Sequence, residues 1–357
     1  MIQEVSRKLH HTALDGLFRY AEFLNFGELH VKFDHATGLR AIVAIHNLKL
    51  GSGLGGCRIV HYGTTDKAIE DALRLAYMMS LKAAMSNIPH GGAKAVLIAP
   101  KVIKNRRDYF HSFADFVQSL GGRYITAIDS GSSMTDMDIV AERTPYVTCT
   151  TKYGNDGDPS FHTANGVLRA IEACVKFKLG QDSLQDVHVA IQGAGHVGYC
   201  LAKGLKSAGA RITMTDINEV SLARCVEEFG VSVCPPERIY SVEADVFSPC
   251  ALGATLNLQT IKLLKAPIVA GSANNQLAHH HHCELLKERG ILYAPDFVAN
   301  AGGLIYASAM YDHNNFEVAL QQVNGIYQIL MDVFERAQIE NRATLVVAEA
   351  IAMEKLR

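Results

Sequence analysis

Residues 189–205, "VAIQGAGHVGYCLAKGL", decide the predicted fold of the C-terminal half of this chain. An apolar strand pattern runs into a glycine-rich turn, and a helix pattern follows the turn. Gly193 allows the tight turn, Gly195 lets a pyrophosphate approach the backbone, and Gly198 lets the helix pack closely on the strand. The pyrophosphate would lie at the helix N-terminus, where backbone N–H groups are unpaired. The segment therefore predicts a dinucleotide-binding loop, made of Gly193, Ala194, Gly195, His196, Val197 and Gly198.

An acidic residue follows this loop at the spacing that nucleotide recognition requires. The next apolar strand ends in Asp216, 18 residues after Gly198. A carboxylate there can accept hydrogen bonds from both ribose hydroxyls of the adenosine half, and it repels a 2′-phosphate. The sequence therefore favours NAD over NADP.

The rest of the C-terminal half alternates between short apolar strands and helical segments. Such strands are typical of a parallel sheet that helices cover on both faces. We therefore predict a doubly wound α/β domain of the Rossmann type. Its further strands are predicted at 211–216, near 232, and at 245–248, 268–271 and 291–294.

The N-terminal half predicts a second α/β domain. The polar, turn-rich segment 147–163 is predicted to be the linker between the two. The predicted domains are 1–150 with about 331–357 for substrate binding and oligomerisation, and 151–330 for NAD. The elements predicted in the first domain are a hairpin ending in strand 39–47, a glycine-rich turn before Arg58, a helix at 66–86, a strand at 94–99, a helix at 106–120 and a strand ending at Asp129.

Composition narrows the class of protein. The chain has 357 residues, of which 48% are hydrophobic and 20% charged, as in ordinary globular proteins. Its net charge of −2 does not favour nucleic acid or an anionic membrane as a partner. Its eight cysteines form no CxxC pair, and we find no signal peptide or membrane-spanning stretch. These features predict a cytoplasmic protein with reduced thiols.

Three charged residues lie where buried elements end or begin. Lys82 is the only charge in the apolar end of a predicted helix, Lys94 follows a glycine pair, and Asp129 ends an apolar strand. A lysine in apolar surroundings loses hydration, so it gives up its proton more easily and can act as a general base. We expect the glycines before Lys94 to leave room for substrate and water. Together with the nucleotide loop, these residues indicate a hydride-transfer site.

Longer motifs resemble one enzyme family. "LGGCR", "MMSLKAAMSNIPHGGAKAV", "YITAIDSG", "PCALGA", "IVAGSANNQL" and "YAPDFVANAGG" occur in the order typical of the Glu/Leu/Phe/Val amino-acid dehydrogenases, most closely their leucine dehydrogenase branch. The resemblance implies two domains with the active-site cleft between them. It also implies NAD-dependent, reversible oxidative deamination of leucine, isoleucine or valine to a 2-oxo acid and ammonia. The implied assembly is a homo-oligomer, an octamer in much of the family, with a dimer or tetramer as alternatives.

The resemblance also implies roles for single residues. Lys82 matches the lysine that holds the substrate carboxylate, and Lys94 the low-pKa lysine that activates water. Asp129 matches the acid that exchanges a proton with the substrate amine. Asn275 matches an asparagine beside substrate and nicotinamide, and Thr163 a cofactor contact. Further residues assigned to substrate binding are Gly55, Gly56, Met79 and the apolar pocket residues Leu54, Ala127 and Leu304.

Several positions depart from the leucine dehydrogenase pattern. Ala93 replaces the third glycine of "GGGK", Ile128 replaces the glutamate of "TAED", and "GAGHVG" stands in place of the usual "GxGNVA". Ile128 removes a charge beside Asp129, which could change the pH optimum or the substrate range. An apolar pocket disfavours glutamate, because it cannot solvate a second carboxylate.

Two alternatives remain open at this point. The same chemistry could act on phenylalanine or tryptophan, because one methylene in an apolar pocket is worth only about 1 to 3 kcal/mol. A non-catalytic NAD-binding regulator would need the nucleotide loop but not Lys82, Lys94 and Asp129 together. The histidine run 279–282 is predicted to be a solvated loop and not a metal site.

Overall fold

A mixed five-stranded sheet forms the centre of the N-terminal unit. The computed structural model describes residues 21–22, 24–152 and 158–357, and it divides into two compact units. The N-terminal unit comprises the described residues up to Pro159, with Leu304–Ala319 and Ala352–Arg357. The C-terminal unit comprises Ser160–Gly303 and Leu320–Ile351.

The sheet of the N-terminal unit has the strand order β1-β2-β4-β3-β5. The predicted hairpin is present, with β1 antiparallel to β2, and β4 is antiparallel to β2. Strand β3 lies between β4 and β5 and is parallel to both. The strands are β1 (Glu28–Asp34), β2 (Leu39–Asn47), β3 (Gly53–Val60), β4 (Gly91–Ile98) and β5 (Tyr124–Ile128). The helices are α1 (Thr65–Met85), α2 (Arg106–Ser119) and α3 (Met134–Ala141).

The predicted glycine-rich turn before Arg58 ends at Ser52, and the residues from Gly53 onward are a strand, so the prediction is wrong for that part. Strand β3 already begins at Gly53, and β4 begins at Gly91, three residues before the predicted start. A Cβ atom on Gly55 would overlap the carbonyl oxygen of Ala93 in β4. The glycines are required because neighbouring backbone approaches closely, and not because the chain turns there.

Helices cover both faces of the inner strands of this sheet, which explains why these strands are largely apolar, whereas the edge strand β1 carries polar and exposed side chains. Ala44 of β2 packs with Ala72 and Leu73 of α1 on one face. Val43, the neighbouring residue, points to the opposite face and packs in a core that includes Phe110 and Phe113 of α2. Successive side chains of a strand alternate between faces, so a strand that is covered on both faces is apolar at most of its positions.

The C-terminal unit confirms the predicted parallel sheet. Its strand order is β11-β10-β9-β6-β7-β8, and every pairing is parallel. Because the order runs outward from β6 in both directions, this is the doubly wound arrangement of a Rossmann-type fold. The strands are β6 (His188–Gln192), β7 (Arg211–Thr215), β8 (Ser232–Val233), β9 (Val246–Pro249), β10 (Ile268–Val269) and β11 (Leu292–Tyr293).

Helices connect these strands and follow the last of them. They are α4 (Ser160–Leu179), α5 (His196–Ser207), α6 (Glu219–Phe229), α7 (Leu258–Leu263), α8 (His282–Glu288), α9 (Asp296–Ala299), α10 (Gly302–His313), α11 (Phe316–Asn324), α12 (Ile326–Glu340) and α13 (Thr344–Leu356), with a 3-10 helix at Pro236–Ser241. In the described part of the chain, none of the helices combines the length and the apolar character that crossing a bilayer demands. All eight cysteines are free thiols.

Candidate functional site

Lys94 and Asp129 form an ion pair in the N-terminal unit. Lys94 Nζ lies 2.6 Å from Asp129 Oδ2, and the two side chains are only 9% and 18% exposed. Lys94 lies on β4, and Asp129 directly follows β5. The structure thus brings together the two residues that the sequence assigned to catalysis.

The carboxyl group of Asp129 has a strongly altered acidity. Its burial disfavours the charged form, but the positive charges of Lys94 and Arg58 outweigh this cost. Hydrogen bonds from Lys94 and from the amide of Ser130 act in the same direction. The pKa of Asp129 therefore lies far below its usual value, and the group is a carboxylate at neutral pH.

A compact turn after β5 holds Asp129 in place. The hydroxyl group of Ser132 donates to the carbonyl oxygen of Cys57 at 2.8 Å and accepts from the amide of Asp129 at 2.9 Å. The amide of Ser130 donates to Asp129 Oδ1 at 2.7 Å. The serines of "DSGSS" thus fix both the backbone and the side chain of Asp129.

The glycine pair before Lys94 serves packing, which corrects the expectation that it leaves room for substrate. A Cβ atom on Gly92 would overlap the backbone and hydroxyl group of Ser80 in α1. A Cβ atom on Gly91 would overlap the carbonyl oxygen of Asn47. Gly92 therefore lets α1, which carries Lys82, lie directly against the strand that carries Lys94, and Gly91 lets the end of β2 approach that strand.

A buried histidine of β2 also holds α1 against the sheet. His46 Nε2 lies 2.8 Å from the carbonyl oxygen of Leu24, which can only accept, so this nitrogen carries the proton. His46 Nδ1 then accepts from the hydroxyl group of Ser80 at 2.7 Å. Burial lowers the pKa of His46, although the bond to Leu24 opposes this shift. The neutral imidazole thus links β2 to the helix that carries Lys82.

The other residues assigned to the substrate lie in the same unit, except Asn275, which lies in the C-terminal unit. Lys82 and Met79 are half-buried and share a face of α1, because they are three residues apart. Gly55 and Gly56 are buried in β3. Leu54 has no exposed surface, Ala127 is 6% exposed and Leu304 is 8% exposed. A pocket wall must be reachable by substrate, so the role of Leu54 stays a prediction.

Sequence reasoning missed Arg58, which contacts the ion pair directly. Arg58 Nε lies 3.2 Å from Asp129 Oδ2. The residue stands in the motif "LGGCR", where a lone charge at the end of an apolar, glycine-rich segment was the available signal. Its partners lie 13 and 71 positions away in sequence, so spacing alone does not reveal them.

The nucleotide loop of the C-terminal unit has the geometry that its glycines predict. Gly193 has φ +112°, which side chains rarely adopt, and a Cβ atom on Gly198 would overlap the carbonyl oxygen of Gly193. Gly195 is exposed and has no heavy atom within 4 Å of its ideal Cβ position. His196 begins α5 and is exposed, so the helix N-terminus is open to a ligand. The space in front of Gly195 fits a pyrophosphate.

Asp216 lies against this loop. One of its carboxylate oxygens accepts from the amide of Ala194, and the other accepts from the amide of Asn218 at 2.7 Å. Each oxygen keeps a further lone pair, so both can also accept a ribose hydroxyl. The arrangement therefore fits the adenosine half of a dinucleotide.

The remaining assigned cofactor contacts also lie in the C-terminal unit. Asn275 is exposed and adopts the left-handed conformation, with φ +51°. The amide of the next residue, Gln276, donates to Asp296 at 3.0 Å, which holds the loop. Thr163 is half-buried in the first turn of α4, and Val197 is half-buried in α5.

The histidine run contains ring contacts and one ion pair. His280 pairs with Glu349 at 2.9 Å, and His282 is buried with its Nδ1 atom 3.1 Å from the carbonyl oxygen of Leu256. The rings of His279 and His281 stack at 5.5 Å. Across the described ranges, no group of three or more His, Cys, Asp or Glu side chains could hold a metal ion.

Comparisons with known proteins agree with this fold. A family model described as "Glu/Leu/Phe/Val dehydrogenase, dimerisation domain" matches residues 25–146. A second, described as "Glutamate/Leucine/Phenylalanine/Valine dehydrogenase", matches residues 213–356. A leucine dehydrogenase of Bacillus cereus is 44% identical over 342 residues, which cover 95% of this chain and 93% of the relative.

Two further relatives act on aromatic amino acids by name. A phenylalanine dehydrogenase of Bacillus thermotolerans is 40% identical over 330 residues, covering 91% of this chain and 86% of the relative. The crystal structure of an L-tryptophan dehydrogenase from Nostoc punctiforme has a TM-score of 0.83 and 35% identity, covering 95% of this chain and 98% of that one.

The fold, the nucleotide loop and these relatives define an NAD(P)-dependent amino-acid dehydrogenase. The chain belongs to the Glu/Leu/Phe/Val dehydrogenase family, as its sequence motifs predicted.

Proposed function

We propose that the protein catalyses the NAD-dependent, reversible oxidative deamination of leucine, isoleucine or valine. An L-amino acid, NAD⁺ and water give the 2-oxo acid, ammonium, NADH and a proton. The observation that carries this proposal is the buried contact of 2.6 Å between Lys94 and Asp129. It places a lysine and a carboxylate where a proton can move between them.

Each charged residue has a proposed role in this reaction. Lys82 holds the carboxylate of the substrate, and Asp129 takes a proton from the substrate ammonium group. NAD, which the loop Gly193–Gly198 and Asp216 would hold, would supply the acceptor for the hydride of the substrate Cα atom. Lys94, as a free amine, then removes a proton from the water that attacks the resulting iminium carbon. The closeness of Lys94 to Asp129 supports transfer of protons between them as ammonia leaves.

The choice of NAD over NADP is proposed from Asp216. Its carboxylate can accept from both ribose hydroxyls, whereas a 2′-phosphate would place like charges together. The open space at Gly195 supports the binding of a dinucleotide there. We also propose that Asn275 and Thr163 contact the cofactor.

The aliphatic substrate is proposed from the apolar pocket residues and from the relatives named leucine dehydrogenase. Leu54, Ala127 and Leu304 offer no partner for a second carboxylate, which disfavours glutamate. An aromatic substrate is the second candidate, because the phenylalanine and tryptophan enzymes cover similar shares of the chain. Family membership favours an enzyme over the non-catalytic regulator.

The functional division of the chain and its assembly are also proposals. The sequence assigned substrate binding and oligomerisation to residues 1–150 with about 331–357, and NAD binding to 151–330. Because Leu304–Ala319 belong to the N-terminal unit and Leu320–Ile351 to the C-terminal unit, we assign substrate binding and oligomerisation to the N-terminal unit and NAD binding to the C-terminal unit. The family model for residues 25–146 is described as a dimerisation domain, which supports a homo-oligomer. The octamer of the family resemblance is the proposed form, in a cytoplasmic location that the free thiols support.

Steady-state kinetics with a panel of L-amino acids tests the proposed substrate. Leucine, isoleucine, valine, phenylalanine, tryptophan and glutamate are each compared with NAD and with NADP. We expect the highest kcat/KM for an aliphatic substrate with NAD. A higher value for phenylalanine or tryptophan would assign the protein to the aromatic class. Reduction of neither cofactor by any substrate would contradict the function altogether.

A further inference from the structure

We propose that Arg58 is a positioning residue for this reaction, which holds the carboxylate of Asp129 against Lys94 and supplies it with a second, permanent positive charge. The inference rests on the proposed roles of Lys94 and Asp129. Arg58 lies on β3, and β3 is the strand between β4, which carries Lys94, and β5, which ends beside Asp129. The topology therefore places the guanidinium beside both of them.

The contacts of Asp129 occupy both of its oxygens. Oδ2 receives Lys94 Nζ at 2.6 Å and Arg58 Nε at 3.2 Å. Oδ1 receives the amide of Ser130 at 2.7 Å. With three donors from three directions, the carboxylate has one orientation, and that orientation points Oδ2 at Lys94.

Arg58 is itself fixed at its other end. Its Nη1 atom lies 3.2 Å from Asp71 Oδ2, and the side chains of Arg58 and Asp71 are 22% and 15% exposed. Tyr62 donates its hydroxyl proton to Asp71 Oδ2 at 2.6 Å, and Arg74 Nη2 lies 2.6 Å from Asp71 Oδ1. A planar guanidinium held by carboxylates at two of its nitrogens cannot turn without breaking one contact. Asp71 thus anchors Arg58, and Arg58 anchors Asp129.

The charge of Arg58 matters because Lys94 must give up a proton in the proposed reaction. If Lys94 were the only cation beside Asp129, deprotonation would leave a buried carboxylate without a counter-charge. A guanidinium keeps its proton throughout the accessible pH range, so Arg58 remains as the counter-charge. Arg58 therefore makes a neutral Lys94 beside an ionised Asp129 less costly.

The other charged or titratable groups around Asp129 do not supply this charge. Asp71 and Arg74 of α1 pair with each other, and Asp71 contacts Arg58. Burial raises the pKa of Cys57 on β3 to about 12, so it is neutral. Burial and the bond to Asp71 raise the pKa of Tyr62, which is neutral as well. Among the described residues that contact the Asp129 carboxylate, Arg58 and Lys94 are the two cations.

The experiment measures kcat and KM against pH for the full-length wild type, Arg58→Gln and Arg58→Lys, with NAD and the best substrate of the panel. For Arg58→Gln we expect kcat to fall roughly tenfold or more. We also expect the acidic limb of its profile to move about 1 pH unit or more towards higher pH, because the site loses the positive charge of Arg58, which opposes its protonation. Arg58→Lys keeps the charge and should restore most of the limb, with a lower kcat because its ammonium cannot reach both carboxylates. Binding of NADH, followed by fluorescence, should stay unchanged.

Arg143→Gln is the control. Arg143 pairs with Asp115 at 2.7 Å in the same unit, and in the described part of the chain it has no hydrogen bond or ion pair with Lys94, with Asp129 or with the turn after β5. Its loss should leave kcat and the pH profile in place. Asp71→Asn is a second variant, which keeps the charge of Arg58 but releases its anchor. It should lower kcat without moving the acidic limb.

The outcomes separate this inference from the proposed function. If the wild type is active and Arg58→Gln leaves kcat and the acidic limb unchanged, the role of Arg58 is overturned. The same holds if Arg143→Gln changes them as much as Arg58→Gln does. If Arg58→Gln does not fold, an unchanged kcat in Asp71→Asn has the same meaning. A wild type that oxidises no amino acid in the panel would instead contradict the proposed function, and the inference would fall with it.

Discussion

The carboxylate of Asp129 shows how neighbouring residues set the chemistry of one side chain. Buried in isolation, a carboxyl group would be neutral at moderate pH, because burial disfavours its charged form. Lys94 and Arg58 reverse that outcome and lower its pKa far below the usual value. The acidic limb of the pH profile in the free enzyme therefore should not report Asp129.

Replacing Gly195 by alanine adds one methyl group to the nucleotide loop and tests where the pyrophosphate binds. Its ideal Cβ position has no heavy atom within 4 Å, so Gly195→Ala should fold with wild-type stability. The same methyl group would stand where we place the pyrophosphate. We expect KM for NAD to rise roughly tenfold or more, with kcat less affected. An unchanged KM would place the pyrophosphate elsewhere.

His46 gives a prediction about stability and pH. Its pKa is lowered in the folded protein because the ring is buried, so the unfolded chain takes up a proton first as the pH falls. The stability that neutral His46 contributes is therefore complete above its usual pKa of about 6.5 and is lost as the pH falls towards the folded value. Urea denaturation between pH 5 and 8 should show this loss in the wild type. His46→Gln should show a smaller dependence, and an equal dependence would assign it to other groups.

Single elements were predicted well where periodicity dominates and poorly where tertiary contacts dominate. The parallel strands of the C-terminal unit are short apolar runs between helices, and all six were predicted close to their observed positions. Strands β3 and β4 begin with glycines, which local rules read as a turn. These glycines are needed because Ala93 lies close to Gly55 and Ser80 lies close to Gly92. Local sequence rules miss these contacts, because the partners are distant in sequence.

The packing of helix α1 against strand β4 can be tested by replacing Gly92. A Cβ atom on Gly92 would overlap Ser80, so Gly92→Ala must push α1 away from the strand. We expect the free energy of unfolding to fall by about 1–3 kcal/mol, with a larger loss of activity because Lys82 and Lys94 move apart. Gly63→Ala is the control, since its Cβ position is open. Equal stability of the two variants in chemical denaturation would contradict this packing.

At the scale of the whole molecule, the fold class, the family and the loop geometry followed from sequence, whereas the electrostatics of the site did not. Lys94 and Asp129 were recognisable because each stands at the edge of an apolar element. Arg58 was not, because its function depends on Asp71 and Asp129, which only the folded sheet brings to it. At position 128, an isoleucine stands where the leucine dehydrogenase pattern has a charged residue, and its side chain packs against the apolar core.

Formation of NADH from NAD and L-leucine at alkaline pH, by the wild type and by Lys94→Ala, tests the proposed function most directly. The exposed residue Lys101, changed to Ala, is the control for loss of a lysine. We predict turnover by the wild type and by Lys101→Ala, and a loss of about 100-fold to 10,000-fold in Lys94→Ala with NADH binding retained. Wild-type turnover in Lys94→Ala would contradict the proposed role of the Lys94–Asp129 pair.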